Sequence, residues 1–279
     1  EGLDGPMLQS CDCGELLALA TALERGAAAA ISARLERMRA RAREARDADQ
    51  ALMAADAAPP PRMPPTLPAA APAARAPRPQ AAERILLTGA TGFLGPHLLA
   101  ALLEETALPV TVIARGADDD DARRRVLAAL SGLASGRIAA ERGRLDVLRG
   151  DLARPDLGLA PAARESLGAA PLAIYHNGAL VDYVQTYRAL RPANVLGTGR
   201  LLELAEGWPV SGFHHVSSTF IFGWTRRPVL RETDGNAGMA GLDFGYSQSK
   251  WVAERLVAAA RGRGLPCAIY RPSLIGMPA

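Results

Sequence analysis

From residue 84 onward, short runs of apolar residues alternate with longer stretches in which apolar residues recur every three or four positions. The runs have the length of β-strands, and the intervening stretches have the period of amphipathic α-helices. Strands and helices that alternate in this way form a parallel sheet through right-handed crossovers. The sequence therefore predicts an α/β fold with a doubly wound parallel sheet. The predicted strands are 84–88, 110–114, 145–149, 172–176, 213–217 and 267–271.

The first part of the chain has a different pattern. Residues 14–55 are rich in Ala, Leu, Arg and Glu, and Leu16, Leu19 and Leu23 follow a three- and four-residue spacing. This spacing predicts one long amphipathic helix or two shorter ones, which pack on a neighbouring domain or a partner. Residues 57–80 are almost entirely Pro, Ala and Arg, a composition typical of a semi-rigid linker. We therefore expect a helical segment over 1–56, a Pro/Ala-rich linker over 57–82 and the α/β domain over 83–279.

Composition and charge exclude several classes of protein. The 279 residues are 49% hydrophobic and 22% charged, which suits one sizeable buried core. No apolar run approaches the ~18 to 20 residues of a membrane span, and the sequence does not open with the charged-then-apolar pattern of a secretory signal, so no membrane partner and a cytoplasmic location are expected. The net charge of +3 is small and the arginines are scattered, so nucleic-acid binding is not indicated.

The cysteines indicate neither a disulfide framework nor a metal site. There are three, Cys11, Cys13 and Cys267, and no second closely spaced pair completes a zinc motif. The first residue is Glu1, and Ala279 follows directly on a motif that belongs inside a domain. We therefore expect the chain to be part of a larger multidomain polypeptide.

A glycine-rich turn, Thr-Gly-Ala-Thr-Gly-Phe-Leu-Gly, follows the first predicted strand over residues 88–95. Gly89 permits a tight turn, Gly92 lets the backbone approach a pyrophosphate, and Gly95 lets the next helix press on the strand. The N-terminus of that helix offers free N–H donors to phosphate. Placed between a strand and a helix, the turn indicates a Rossmann dinucleotide site. The expected contacts are Gly89, Thr91, Gly92, Phe93, Leu94 and Gly95.

The end of the second strand indicates which dinucleotide is bound. Arg115 stands where an NAD-binding protein usually has an acidic residue for the ribose 2′-hydroxyl, and its charge suits a 2′-phosphate. Arg125 is a second candidate for this phosphate. Residues 118–121 are four aspartates, which we expect to cap the following helix and face water. The predicted cofactor is therefore NADPH.

Two further strand ends contribute to the predicted cofactor site, since ligands of doubly wound sheets bind at the carboxyl ends of the strands. Asp151 and Leu152 follow the third strand and are expected at the adenine. Asn177, Gly178 and Ala179 follow the fourth strand and are expected along the adenosine and ribose.

Lys250 is the only lysine of the chain, although Lys and Arg together number 32, and it stands four residues after Tyr246. On a helix the two side chains share one face. A lysine charge beside a phenol favours the phenolate, so we expect the pKa of Tyr246 to lie below its usual value of about 10. The pair then forms a general acid that works near neutral pH.

Hydroxyl groups end the fifth predicted strand, some residues before the Tyr246 helix. Ser218 is the expected catalytic hydroxyl, and Thr219 is the alternative one position later. A hydroxyl, a phenol and an ammonium beside a nicotinamide would polarise a carbonyl and supply a proton after hydride transfer. This combination indicates carbonyl reduction. His214 and His215 lie on a strand covered on both faces, so we expect them to be structural.

In combination, these segments resemble the extended short-chain dehydrogenase/reductases. The closer similarity is to the thioester reductase branch, which includes terminal reductase domains of nonribosomal peptide and polyketide synthases, carboxylic acid reductases and aminoadipate reductase. The resemblance covers about residues 84–276. The matching segments are 88–95, 150–152, 174–179, Asn194-Val195-Leu196-Gly197-Thr198, 217–218, 245–254 and Tyr270-Arg271-Pro272-Ser273-Leu274-Ile275-Gly276.

The resemblance implies a catalytic triad of Ser218, Tyr246 and Lys250, with Tyr246, Lys250 and Pro272 also at the cofactor. It implies reduction of an acyl thioester on the phosphopantetheine of an acyl or peptidyl carrier protein, to an aldehyde or further to an alcohol. Two departures matter. The substrate-binding part of the family lies largely beyond the Arg-Pro motif with which this chain ends, and no Asp-Ser carrier signature precedes the linker.

Two alternatives share the glycine turn and the Tyr/Lys pair. The first is a sugar-nucleotide epimerase or dehydratase, or a hydroxysteroid-type dehydrogenase; Arg115 and the Trp-Val-Ala-Glu continuation at 251–254 argue against the epimerase or dehydratase. The second is an NADPH-binding sensor or scaffold without catalysis. The intact set of Ser218, Tyr246 and Lys250 argues against a sensor or scaffold, because a sensor needs no proton donor.

Overall fold

Two helices precede the sheet in the structure, a computed structural model that describes residues 13–26, 28–58, 82–133, 141–236, 239 and 241–276. They are α1 (Cys13–Glu24) and α2 (Ala28–Ala57), so the helical pattern of the sequence corresponds to two helices. Most of the predicted linker, as well as Cys11 of the Cys11/Cys13 pair, lies outside the described residues.

Six parallel strands alternate with helices through the rest of the chain. The strands are β1 (Arg84–Thr88), β2 (Val110–Ala114), β3 (Leu145–Arg149), β4 (Leu172–His176), β5 (Val210–Val216) and β6 (Cys267–Tyr270). The helices are α3 (Gly95–Glu105), α4 (Asp119–Ser131), α5 (Pro161–Gly168), α6 (Tyr187–Arg191), α7 (Gly197–Glu206) and α8 (Gly245–Gly262). Short 3-10 turns cover Glu141–Arg144, Pro155–Gly158 and Thr219–Phe222, and a π-helical turn, Pro192–Leu196, joins α6 to α7.

The strand order is β3-β2-β1-β4-β5-β6, and every pair of neighbours is parallel. This confirms the predicted doubly wound fold. Four strands have the predicted bounds, while β5 begins three residues early, at Val210, and ends one residue early, at Val216, and β6 ends one residue early, at Tyr270. Successive strands are added in one direction from β1 to β3 and in the opposite direction from β4 to β6, so a crevice opens between β1 and β4, beyond their carboxyl ends.

The sheet is covered on both faces, which explains why its central strands are continuous apolar runs. One face packs on α3 and α4 through residues such as Leu87, Leu99 and Val126. The other packs on α7 and α8 through residues such as Ile174, Leu201 and Val257. A third apolar cluster lies behind α8 and includes Met53, Tyr187, Val195, Ile221, Leu242, Trp251 and Val252.

Within the described ranges, no helix is long and apolar enough to cross a membrane. The same ranges contain no group of three or more His, Cys, Asp or Glu side chains arranged to hold a metal ion. Cys267 is a buried free thiol, and burial raises its pKa to about 12.

Candidate active site

A cavity of about 560 Å³ lies at the carboxyl ends of the strands, across the switch point between β1 and β4. This volume is in the range of small-molecule and cofactor sites. The structure brings to it every residue that the sequence suggested for catalysis or cofactor binding, with two exceptions, Gly95 and the alternative hydroxyl Thr219. The predicted residues that line it are Gly89, Thr91, Gly92, Phe93, Leu94, Arg115, Arg125, Asp151, Leu152, Asn177, Gly178, Ala179, Ser218, Tyr246, Lys250 and Pro272.

The glycine-rich turn forms one wall because two of its glycines allow close backbone packing. Gly89 has a φ of +76°, and a Cβ atom there would lie 2.6 Å from the Cα of Gly178. A Cβ atom on Gly95 would collide with the carbonyl oxygen of Gly89, so Gly95 serves packing rather than lining the cavity. Gly92 is exposed, and a Cβ atom on it would meet no atom closer than 3.5 Å. The backbone at Gly92 is therefore open to a ligand, as a dinucleotide pyrophosphate requires.

A buried hydrogen-bond chain fixes this turn to the loop after β4. The Thr198 hydroxyl donates to the carbonyl of Asn194, so its oxygen accepts from His176 Nε2, at 2.8 Å. His176 Nδ1 is then the acceptor for the Thr88 hydroxyl at 2.8 Å, and Thr88 Oγ1 accepts from the Gly178 N–H at 3.0 Å. Burial, together with the charge of Lys250, lowers the pKa of His176 to about 3. His176 is thus neutral, with its proton on Nε2, and connects Thr198 to Thr88.

The two arginines proposed for the 2′-phosphate lie together at the edge of the cavity. Arg125 donates to the carbonyl oxygen of Arg115 at 3.1 Å, and both are exposed. The aspartates at 118–121 cap α4 as predicted: Asp118 accepts from the Asp121 N–H at 2.7 Å. Asp121 is held by Arg124 at 2.6 Å, and the Ala117 N–H and this arginine lower its pKa. Asp118 and Asp121 are therefore engaged at the start of their own helix, while the exposed Asp119 lies 3.5 Å from Arg149 of β3.

The loops after β3 and β4 complete the half of the cavity that the glycine turn begins. Asp151 accepts from the Ala153 N–H at 2.9 Å, which fixes its carboxylate beside Leu152. Asn177 donates to the Gly89 carbonyl at 3.1 Å. The turn and these two loops thus form one cradle, and a dinucleotide fits the residues that make it up.

Ser218 and Tyr246 lie together at the opposite end of the cavity. Ser218 ends the extended segment after β5 and caps the Thr219–Phe222 turn, accepting from the Phe220 N–H at 3.2 Å. Its side chain lies close enough to Tyr246 to lower the pKa of this phenol. Thr219 is not part of the cavity wall; its N–H donates to the carbonyl of Pro272 at 3.0 Å. Of the two candidate hydroxyls, Ser218 is the one beside the phenol.

The expectation that Lys250 lowers the pKa of Tyr246 is wrong for this structure. Burial and, to a smaller extent, Tyr183 raise the pKa of Tyr246 to about 12, and only Ser218 acts to lower it. Tyr246 is buried, and desolvation disfavours the phenolate. The phenol is consequently protonated at neutral pH, which is the form that a proton donor needs.

Lys250 is buried beneath the cavity and donates to the carbonyl oxygen of Val216 at 2.6 Å. Burial lowers its pKa to about 8, against a smaller opposite effect of Glu254. Because this value is above neutral pH, the side chain is largely an ammonium at pH 7. Its position one helical turn from Tyr246 places a positive charge at the same end of the cavity.

Asn194 is a site-building residue whose role the sequence did not reveal. Its amide accepts from the Leu180 N–H at 2.7 Å and donates to the Leu180 carbonyl at 2.9 Å. It also donates to Ser249 Oγ at 3.0 Å. Asn194 therefore ties the loop after β4 to the helix that carries Tyr246 and Lys250. The segment 194–198 was recognised by resemblance, but a π-helical turn has no periodicity signal of its own.

An aromatic wall beside Tyr246 was also missed. The Tyr183 ring lies 5.7 Å from that of Tyr246 and 5.6 Å from that of Phe220, while Phe244 lies 6.2 Å from Tyr183 and 6.3 Å from Trp224. Tyr183 and Trp224 are exposed. Their positions in irregular segments gave no pattern from which a shared wall could be predicted.

An ion pair joins the segments 245–254 and 270–276, both of which carry the family resemblance. Arg271 donates to Glu254 through Nε at 2.9 Å and through a terminal nitrogen at 2.8 Å. The same guanidinium donates to the carbonyl oxygen of Asp234 at 2.8 Å. The Arg-Pro motif thus holds β6, the loop before α8 and α8 itself in one arrangement around Pro272.

The neighbouring histidines of β5 are buried and do not line the cavity. His214 shares a hydrogen bond with the Tyr270 hydroxyl at 2.9 Å and stacks on Tyr175 at 4.4 Å. Burial lowers the pKa of His214 to about 4 and that of His215 well below its usual range. Both are therefore neutral packing residues, as expected.

Comparisons with known proteins agree with this geometry. A family model for NAD-binding proteins, described as "Male sterility protein", matches residues 87–278. One of the subunits of linear gramicidin synthase from Brevibacillus parabrevis is 40% identical over 196 residues, which are 69% of this chain and 4% of that protein. The L-2-aminoadipate reductase large subunit of Eremothecium gossypii is 36% identical over 210 residues, 68% of this chain and 15% of that protein.

Among solved structures, the terminal R domain from the myxalamid PKS-NRPS biosynthetic pathway superposes with a TM-score of 0.70 at 37% identity. The match covers 80% of this chain and 56% of that one. The chain thus spans less than a fifth of either curated relative and just over half of this reductase domain.

Proposed function

Because the chain belongs to the NAD-binding family described as "Male sterility protein", and is therefore an oxidoreductase domain, we propose that it reduces an acyl thioester carried on phosphopantetheine. The proposal rests on one observation above others: Ser218, Tyr246 and Lys250 line the same cavity as the glycine-rich turn. A hydroxyl, a phenol and an ammonium beside a nicotinamide are the groups that reduction of a carbonyl requires. The relatives, a gramicidin synthase and an aminoadipate reductase, support the same class of reaction.

The proposed cofactor is NADPH, held by the glycine turn, Asp151, Leu152 and the segment 177–179. The support for NADPH over NADH is the pair of exposed guanidinium groups, Arg115 and Arg125, at the end of β2. Their planar donors suit a 2′-phosphate, and the nearest aspartates are engaged in capping α4. When bound, this cofactor supplies the hydride.

The residues of the chain would act on the thioester oxygen. Ser218 and Tyr246 donate hydrogen bonds to it and so stabilise the negative charge that develops there as the acyl carbon is reduced. Tyr246, protonated at neutral pH, then gives its proton to this oxygen. Lys250, whose ammonium donates to the Val216 carbonyl oxygen, contributes a buried positive charge and would bind the ribose hydroxyls. Breakage of the carbon–sulfur bond of the resulting hemithioacetal releases an aldehyde and the carrier thiol.

The partner in this proposal is an acyl or peptidyl carrier protein that delivers the thioester. The aromatic wall of Tyr183, Phe220, Phe244 and Trp224 supports an apolar acyl group next to Tyr246. Aromatic faces bury apolar chains well without fixing their length. The same wall is consistent with a range of acyl chains.

Replacement of Tyr246 by Phe tests these roles. It should lower thioester-dependent NADPH oxidation by at least about 100-fold, because the proton donor is lost. NADPH affinity, followed by fluorescence titration, should stay within about threefold of wild type, since the ring remains.

The matched control is Thr219→Val, which removes the neighbouring hydroxyl that lies outside the cavity wall. Its turnover should equal that of wild type. Undiminished activity of Tyr246→Phe would refute the assignment of Tyr246 as the proton donor.

A further inference from the structure

A carboxylate near the end of α2 is bound by three donors of the α/β domain. Asp56 accepts from Arg191 through Nε and through a terminal nitrogen, each at 2.6 Å, so the pair is bidentate. It also accepts from the Tyr187 hydroxyl at 2.6 Å. The Asp56 side chain is only 8% exposed and Tyr187 is fully buried. Buried, bidentate bonds to a charged group are the strong class of hydrogen bond, and their geometry is specific.

The two partners of Asp56 belong to α6, which lies between two parts of the candidate site. Tyr183 of the aromatic wall precedes this helix, and Asn194, which ties Leu180 to Ser249, follows it. Both neighbours contact the cavity or the loops that form it. Displacement of α6 would therefore move the wall and the Asn194 anchor together.

The first residue of α8 packs directly on the backbone at the start of α6. A Cβ atom on Gly245 would lie 2.6 Å from the backbone nitrogen of Tyr187 and would collide with the carbonyl oxygen of Gln185. Tyr246 is the next residue. On the other side, Met53 of α2 is 1% exposed and packs in one apolar cluster with Tyr187, Trp251 and Val252. The helical segment thus supports α8 both through α6 and directly.

We propose that Asp56 is a positioning residue: through Tyr187 and Arg191 it fixes α6, and through the Gly245 contact it fixes the orientation of Tyr246 toward the cavity. The upstream helix α2 then helps to position the residues of the site, although the segment 59–81 separates it in sequence from the sheet. The consequence for catalysis depends on the proposed role of Tyr246, whereas the ordering of α8 does not.

The chain offers a matched control in the neighbouring ion pair. Arg188 donates to Asp49 at 2.6 Å, joining the same two helices, but its side chain is 57% exposed. Exposed pairs of this kind contribute little to stability. Asp49→Asn removes one charge from α2, as Asp56→Asn does, without disturbing the buried carboxylate.

The first experiment is hydrogen–deuterium exchange on the chain itself, without cofactor or substrate. In Asp56→Asn the backbone amides of residues 245–250 and 180–191 should exchange about tenfold faster than in wild type, because local opening becomes easier. Asp49→Asn should exchange like wild type. If Asp56→Asn does not fold, Tyr187→Phe, which removes one donor and keeps the ring, takes its place with the same expectation in smaller degree. Unchanged exchange at 245–250 would overturn the proposal.

The second experiment measures NADPH binding and thioester-dependent turnover in the full-length polypeptide, well below its melting temperature. Asp56→Asn should lower kcat by about 10- to 100-fold, the effect of a small misplacement of a catalytic group. The KM for NADPH should rise much less than kcat falls, since the glycine turn and the loop after β3 are not among the segments that Asp56 supports.

A fall in melting temperature without a change in kcat would reduce Asp56 to a stability role and overturn its positioning role. Absence of thioester turnover in wild type would instead count against the proposed function, and the exchange experiment would still decide the ordering of α8.

Discussion

Lys250 keeps an ammonium group buried at the carboxyl edge of the sheet, with Val216 as its hydrogen-bond acceptor. An arginine could not replace it without change, because a guanidinium is larger, planar and permanently charged. The cost of desolvation appears as a pKa lowered to about 8. All the other basic residues counted among the 32 Lys and Arg are arginines. The requirements of the site therefore explain why a lysine stands at position 250.

The titration of Lys250 predicts a pH dependence of cofactor binding. Its pKa in the folded protein is about 8, so the ammonium is present below this pH and is lost above it. NADPH affinity should therefore fall as the pH rises from 7 to 10. The neighbouring phenol does not interfere, since burial raises the pKa of Tyr246 to about 12.

Fluorescence titration of NADPH at a series of pH values measures this effect in the chain alone. The control is Lys250→Met, which should bind NADPH more weakly than wild type at pH 7 and show no further loss toward pH 10. A wild-type affinity that stays constant to pH 10 would contradict a role for the Lys250 charge in cofactor binding.

Tyr246 shows what residue-level reasoning from sequence can and cannot predict. The four-residue spacing correctly predicts that Tyr246 and Lys250 share one side of α8, and both line the cavity. The direction of the pKa shift was wrong, because it depends on the depth of burial and on Tyr183, a residue that is distant in sequence. Spacing along a helix contains no information about either.

At the scale of elements, the central strands β1, β2 and β4 were predictable because they are largely apolar runs buried on both faces. The early start of β5 was missed, since Ser211 and Gly212 interrupt the apolar pattern at 210–212. The π-helical turn Pro192–Leu196 was missed because it is defined by hydrogen bonds rather than by periodicity. The site residues that it provides, above all Asn194, could be identified only through resemblance.

The glycine turn allows a prediction in which two similar substitutions affect different properties, stability in one case and cofactor binding in the other. Gly95→Ala should lower the melting temperature by about 5 °C or more, because its Cβ atom would collide with the Gly89 carbonyl. Gly92→Ala has space for its Cβ atom, 3.5 Å from the nearest atom, so the melting temperature should not change. NADPH binding by Gly92→Ala should nevertheless weaken about tenfold or more, since the methyl group occupies the cofactor side of the turn.

Thermal denaturation and NADPH titration of the two variants check this pair. A Gly92→Ala protein that binds NADPH as tightly as wild type would contradict the position assigned to the pyrophosphate. A Gly95→Ala protein as stable as wild type would contradict the close packing of the turn on α3.

For the molecule as a whole, the sequence predicted which residues line the cavity far better than it predicted the contacts that hold the surrounding elements in place. The half of the cavity around the glycine turn follows a local strand–turn–helix pattern, so its lining residues could be named individually from the sequence. The supporting contacts join distant segments: Asp56 to Arg191, Arg271 to Glu254, and Asn194 to Ser249. Such pairs are set by tertiary packing, and no single segment contains their signal. The docking of α2 behind α8 belongs to this class.

The measurement that tests the central claim most directly is coenzyme oxidation and product formation by the full-length polypeptide with an acyl-pantetheine thioester, an aldehyde and a UDP-sugar as parallel substrates, each with NADPH, with NADH and with NAD. The account predicts oxidation with the thioester, a preference for NADPH, and release of one thiol for each aldehyde formed. No coenzyme oxidation with the thioester or the aldehyde, together with NAD-linked conversion of the sugar, would contradict it and favour an epimerase or dehydratase. Tight NADPH binding without turnover of any substrate would contradict it too, and would favour a sensor or scaffold.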